Sequence, residues 1–169
     1  YSDATAIIFY QQVSQSINII DYEEDTKFAF PHYAQILKEK DYIYDRHTGP
    51  HDLDQTSFAS GKSIAEVAAQ MKVRFRIAPR VKLDDGIHAV KMLLPRCYID
   101  GDKCSKLIRA LRHYHRRFSD KERIFKLKPV RDFSTHGCDA MRYLAVGLNE
   151  QKMFNKNKQE TADNRYQII

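Results

Sequence analysis

The sequence predicts an α/β domain, a mixed sheet with helices on its faces. Short runs rich in β-branched and aromatic residues crowd the front of the chain, the pattern of strands. Later segments place apolar residues three and four apart, the period of helices packed on one face. The order of the two patterns is mixed rather than segregated, which argues for α/β over separate all-β and all-α parts.

Each element has its own reason. Thr5–Tyr10 and Ser16–Tyr22 read as two strands, and the polar link at 11–15 suits a hairpin. Glu23-Glu24-Asp25 reads as a turn. Residues 31–40 read as a helix, with Pro31 in the first turn and Tyr33, Ile36 and Leu37 on one face. Tyr42-Ile43-Tyr44 begins a strand leading to Gly49-Pro50-His51-Asp52. Ser63 and Glu66 form a capping box that opens a helix with Ile64, Val67, Ala68 and Met71 inward. Residues 73–77 alternate apolar and basic, a strand with one wet face. Asp84 or Asp85 caps the helix carrying Ile87, Val90, Leu93 and Leu94. Residues 103–118 form a helix with Cys104, Leu107, Ile108, Leu111, Tyr114 and Phe118 inward and Arg109, Arg112, His113, Arg116 and Arg117 outward. Ser134 or Asp132 caps a last helix running to about Gly147, and the Asn-, Gln- and Lys-rich segment beyond it is expected to be flexible. The domain is therefore placed at 1–148, with 149–169 as a polar tail.

Composition narrows the function classes. The chain has 169 residues, 43% hydrophobic, enough for the core of one domain. No apolar run reaches 18 residues, and the start lacks the basic and apolar regions of a signal peptide. A start without methionine is read as a processed or excised piece. Three cysteines without a CxxC pair argue against a disulfide framework or structural zinc. Residues 1–71 hold 5 basic and 11 acidic side chains, residues 72–131 hold 18 and 6, and residues 132–169 hold 5 of each. A basic middle beside an acidic front is what a polyanion-binding protein with a separate carboxylate centre shows. Solvated helix faces give the same counts without forming a patch.

Two acids stand out by their neighbours. Asp52 follows a Gly-Pro turn at the end of an apolar run, where a strand end aims side chains at the ligand crevice of an open sheet. Asp139 opens the last helix, where the positive helix end favours a carboxylate, and His136 shares its face three residues earlier. Such carboxylates suit Mg²⁺ or Mn²⁺, and two ions together catalyse phosphodiester hydrolysis. Alone, Asp52 also fits a turn residue, Asp139 a dipole-stabilising acid and His136 a packing residue. Other candidates are weaker. Gly61-Lys62-Ser63 ends like a P-loop, but position 56 is Thr and not Gly. Cys138 reads as a small buried residue and not a nucleophile, and His113 and His115, among Arg residues with no acid partner, read as surface or DNA-facing groups and not a catalytic base. Asp21 and Glu23 read as solvated turn acids.

These segments, in order, resemble the nuclease domain of the large terminase subunit of tailed bacteriophages. The resemblance runs through Ser2–Ile7, Ile19–Glu23, Gly49–Asp52, Gly61–Ser63, Asp85–Ile87, Lys128–Asp132 and Ser134–Tyr143, covering about residues 1–148. It implies a ribonuclease H-like fold and a metal-dependent endonuclease that cuts concatemeric double-stranded viral DNA during packaging in the host cell cytoplasm. It implies that Asp52 and Asp139 are metal ligands for Mg²⁺ or Mn²⁺, two ions, with His136 assisting. The family's first metal-binding aspartate lies on a first central strand that falls just before Tyr1, so that strand is expected to be missing or truncated. Asp3 is the substitute on this chain, and an incomplete sheet exposes an edge for pairing with another chain. Arg131 stands where a histidine often precedes Asp132. Arg74, Arg76, Arg112 and Arg116 are the candidate DNA contacts. The implied partners are an ATPase motor domain, the small terminase subunit and the portal, with no membrane. A non-cleaving DNA-binding or docking module and a ribonuclease H-like junction resolvase are the alternatives.

Overall fold

The computed structural model describes residues 4–56 and 61–163. It is mixed α/β, and its contacts divide the chain into two compact units: residues 1–28 with 91–142, and residues 29–90 with 143–169.

The first unit is built on a three-stranded mixed sheet. Strand β1 (Ala4–Val13) pairs antiparallel with β2 (Ser16–Thr26) through a two-residue link, where Ser14 adopts φ 55°. β2 then pairs in parallel with β5 (Cys97–Ile99), giving the order β1-β2-β5. A bulge sets Phe9 opposite Asp21 and Tyr10 opposite Ile19, so Ile20 is the extra residue. The bulge changes the phase of β2: Ile17 and Ile19 are buried before it, and Asp21 and Tyr22 after it. The acids expected in a turn are therefore strand residues. Glu23, Glu24 and Asp25 face Ile7, Ala6 and Thr5 in the ladder, and Asp21 is 5% exposed.

Helix α4 (Ser105–His113) covers this unit with Leu107 and Ala110 buried. Its entry is set by Asp100, whose Oδ1 accepts from the amides of Asp102 and Lys103. The helix does not continue to 118 as its spacing suggested. Tyr114 turns extended, and β6 (Arg116–Ser119) pairs antiparallel with β7 (Ile124–Pro129). Ladder pairing with β7 overrides the helical period, which Tyr114 and Phe118 satisfied only by their spacing. Arg116 is accordingly a strand residue.

The second unit contains α1 (Phe30–Glu39), with Pro31 in its first turn and Tyr33, Ala34 and Leu37 buried. A parallel pair, β3 (His47–Gly49) and β4 (Phe75–Ile77), is joined through a 3₁₀ turn (His51–Asp54) and α2 (Ile64–Gln70). β3 lies later than the expected 42–44. Tyr42 and Tyr44 instead pack edge to face, and the Tyr44 hydroxyl donates to the Leu37 carbonyl. The capping box of α2 is complete: Glu66 N–H donates to Ser63 Oγ at 3.1 Å and Ser63 N–H donates to Glu66 Oε2 at 2.8 Å.

α3 (Leu83–Leu93) starts with Asp84 and Asp85 inside its first turn, not as its cap. α5 begins at Ser134 and continues through residues 149–163 to Asp163, past the expected end near Gly147. Two glycines of the second unit allow close approach. A Cβ on Gly49 would collide with Leu53 Cδ1, and one on Gly147 would stand 3.0 Å from Thr48 Cγ2.

Candidate functional site

Asp139 lies on α5, after a start that is heavily fixed. Asp132 Oδ1 accepts from the Ser134 amide at 2.9 Å and from the Ser134 hydroxyl at 2.6 Å. The Asp132 amide donates to Thr135 Oγ1, and its carbonyl accepts from the Thr135 amide. These bonds satisfy donors that a helix start leaves open. Gly137 lets α5 pack closely: a Cβ there would be 3.0 Å from the Tyr22 hydroxyl and 3.3 Å from Leu107 Cδ1.

The Asp139 carboxylate is half-buried, and Arg142 Nε stands 3.3 Å from its Oδ1, one turn along the helix. Burial pushes its pKa above the ordinary carboxylate value, and the charges of Arg142, His136 and Arg131 pull it back in part. His136 lies one turn before Asp139 on α5. Tyr114 also senses this acid: burial first, then the Asp139 charge, raises its phenol pKa. Cys138 is 4% exposed, and burial with the charges of Asp139 and Asp132 pushes its thiol up to about 12. It is a protonated packing residue, as its size suggested, and not a nucleophile.

Asp52 occupies the 3₁₀ turn directly beyond β3 and is exposed. Pro50 sets the extended entry to the turn, and the Leu53 amide donates to the Pro50 carbonyl. Gly49 permits the close fit of Leu53 that holds this turn down. The neighbouring His51 ring places Nδ1 3.5 Å from the Tyr143 hydroxyl. The sequence therefore placed this acid correctly at a strand end. Asp3 lies outside the described residues. Among the described residues, no three His, Cys, Asp or Glu side chains cluster so as to hold a metal ion.

The candidate DNA contacts differ in setting. Arg112 is exposed on α4, and Arg116 is half-buried at the start of β6. Arg74 is exposed just ahead of β4, while Arg76 is half-buried within it opposite Thr48. The expected shared strand face is therefore shorter than predicted, because β4 covers only Phe75–Ile77.

Sequence reasoning missed two features here. His113 has an acid partner after all: its Nε2 stands 3.0 Å from Asp132 Oδ2. No sequence signal joins these two residues across the intervening strands. Arg142 as the counter-ion of Asp139 was readable, because i,i+3 pairs share a helix face.

No family model matches the sequence, and no curated protein matches it. Two solved structures do, both of the large terminase from a thermophilic bacteriophage. Crystal form 2 aligns with TM-score 0.63 at 18% identity, and crystal form 3 with 0.62 at 16%. Each alignment covers 85% of this chain and 36% of the terminase, so this chain spans about a third of that protein's length. Over that extent the chain has the fold of the matching part of the phage large terminase.

Proposed function

We propose that this chain is the nuclease domain of a DNA-packaging terminase, hydrolysing phosphodiester bonds of double-stranded DNA with divalent cations. The observation that carries the reading is Asp139: a half-buried carboxylate, raised in pKa by its burial, with Arg142, His136 and Arg131 near it, on a chain with the fold of a large terminase part. Perturbed acids of this kind concentrate at functional sites.

Asp139 and Asp52 supply the oxygen donors that hard cations prefer. Mg²⁺ is held by one or two carboxylates with retained water, so a cage of three side chains is not needed. When bound, such a pair of ions supplies water activation and stabilisation of the leaving oxygen. The chain's own part is to hold Asp139 at the buried start of α5, to keep it ionised with Arg142, and to fix Asp52 on a turn locked by Pro50 and Gly49. His136 tunes the charge on Asp139. Arg74, Arg76, Arg112 and Arg116 neutralise backbone phosphates, giving sequence-independent, salt-sensitive affinity. An ATPase motor, the small terminase subunit and the portal are the partners this role calls for, in the host cytoplasm. No helix among the described residues is long and apolar enough to cross a membrane.

Supercoiled plasmid incubated with this chain and Mn²⁺ tests the reading. Nicking that stops in EDTA supports it. Retention of DNA on a gel with no nicking at any Mn²⁺ or Mg²⁺ concentration supports a non-cleaving module. Preferential cutting of four-way junctions over linear duplex supports a resolvase.

A further inference from the structure

We infer that the β6–β7 ribbon is a platform for unpaired nucleic-acid bases, with Phe118 and Phe125 as its stacking surface. The ribbon is a two-stranded sheet that hydrogen-bonds to no other described strand. All of Ile124–Lys128 is exposed. Register separates its two faces. Phe118 lies opposite Phe125, so these two side chains share one face, and Ser119 lies opposite Ile124 on the other. The register shifts between Phe118 and Arg116, which lies opposite Pro129.

Its apolar side chains are open to solvent: Phe118 is 46% exposed, Ile124 57%, Phe125 61% and Leu127 83%. The two rings hold each other edge to face, with centroids 5.1 Å apart, which fixes them without covering them. Large apolar side chains left open on a two-stranded ribbon mark a contact surface. Charge identifies the partner. Residues 103–131 carry eleven Lys and Arg against two acids, a strong attraction for a polyanion. One of the two acids, Glu122, is itself engaged by Lys126 at 2.7 Å.

A polyanion that also offers flat apolar faces is a single-stranded nucleic acid. Each base presents a π-face to an exposed ring while neighbouring cations follow the phosphates. In a duplex those faces are stacked on one another, and exposed phenyl rings gain little from the backbone. The site contains no candidate metal ligand, so it stands or falls independently of the cleavage reading.

The test uses the full chain in EDTA, so that no cutting intervenes. Binding of fluorescently labelled dT15 and of a blunt 15-base-pair duplex is followed by polarisation. The proposal expects the F118A/F125A variant to lose on the order of tenfold or more in dT15 affinity. Duplex affinity changes less than twofold, and F118Y/F125Y retains dT15 binding because tyrosine still stacks. The chain has no tryptophan, so the F125W variant carries a single indole, and dT15 quenches its emission. Quenching also decides the matter should the double alanine variant fail to fold. Unchanged dT15 affinity in a folded F118A/F125A variant, an equal loss on duplex, or no quenching while dT15 is bound would each overturn the proposal. Plasmid nicking by the wild-type chain with Mn²⁺, run in parallel, shows separately whether the nuclease reading survives.

Discussion

His113 Nε2 stands 3.0 Å from Asp132 Oδ2, and the other oxygen of the same carboxylate accepts from Ser134 at the start of α5. One side chain thereby ties the end of α4 to the helix that carries Asp139. The His113 ring also stacks on Phe133, which Arg109 covers at 4.7 Å.

Asp132→Ala is predicted to destabilise the fold by about 1–2 kcal/mol, the scale of losing a helix-start acceptor. His113→Ala costs less, about 0–1 kcal/mol, because the pair is partly open to solvent. The Ser134 hydrogen bonds, and to a smaller extent the His113 charge, lower the Asp132 pKa below the usual value. Its contribution is then complete above the unfolded-state pKa and is lost as pH falls through the lower folded value. Urea melts across that acid range should show a drop in the wild type that is absent in Asp132→Ala.

Gly137→Ala opposes two effects. Alanine favours a helix by about 1 kcal/mol, but its Cβ meets the Tyr22 hydroxyl at 3.0 Å and the Leu107 methyl at 3.3 Å. Overpacking of a tight contact costs about 1–3 kcal/mol, so thermal melting should show net destabilisation. Gly49→Ala should act on Asp52: the new Cβ displaces Leu53 and with it the turn, lowering cleavage more than duplex binding.

The Asp139 acid binds its proton more tightly than a free aspartate, because burial outweighs its three basic neighbours. In metal-free protein an NMR titration of the Asp139 carboxyl should therefore place its midpoint above that of a free aspartate. Arg142→Gln removes a neighbouring positive charge, so the midpoint should move to still higher pH. A midpoint at or below the free value would contradict burial as the dominant influence.

Phosphate neutralisation by Arg112 predicts a uniform effect. Arg112→Ala should weaken duplex binding equally across sequences and reduce the slope of log affinity against log salt by about one. An affinity loss confined to one sequence would point to base readout instead.

Local signals were legible in the sequence and long-range ones were not. The capping box of α2, Pro31 in α1 and the β1–β2 hairpin rest on residues a few positions apart, and all three formed. Asp52 at a strand end and His136 beside Asp139 are likewise local patterns. The β6–β7 ribbon was hidden because Phe118 follows Tyr114 at helical spacing, while its partner Phe125 lies beyond a turn. The burial of Asp21 depended on a bulge, which no residue pattern announces. The His113–Asp132 pair arises only once the ribbon has brought the chain back.

Cleavage by single and double variants of the two acids tests the central claim most directly. Plasmid nicking with Mn²⁺ is compared for wild type, Asp52→Asn, Asp139→Asn and the double variant. If both carboxylates act in the same cleavage step, either single change removes nearly all activity, roughly 100-fold or more, and the double variant is hardly worse. Undiminished cutting by Asp52→Asn or Asp139→Asn, or losses that simply multiply, would contradict the account.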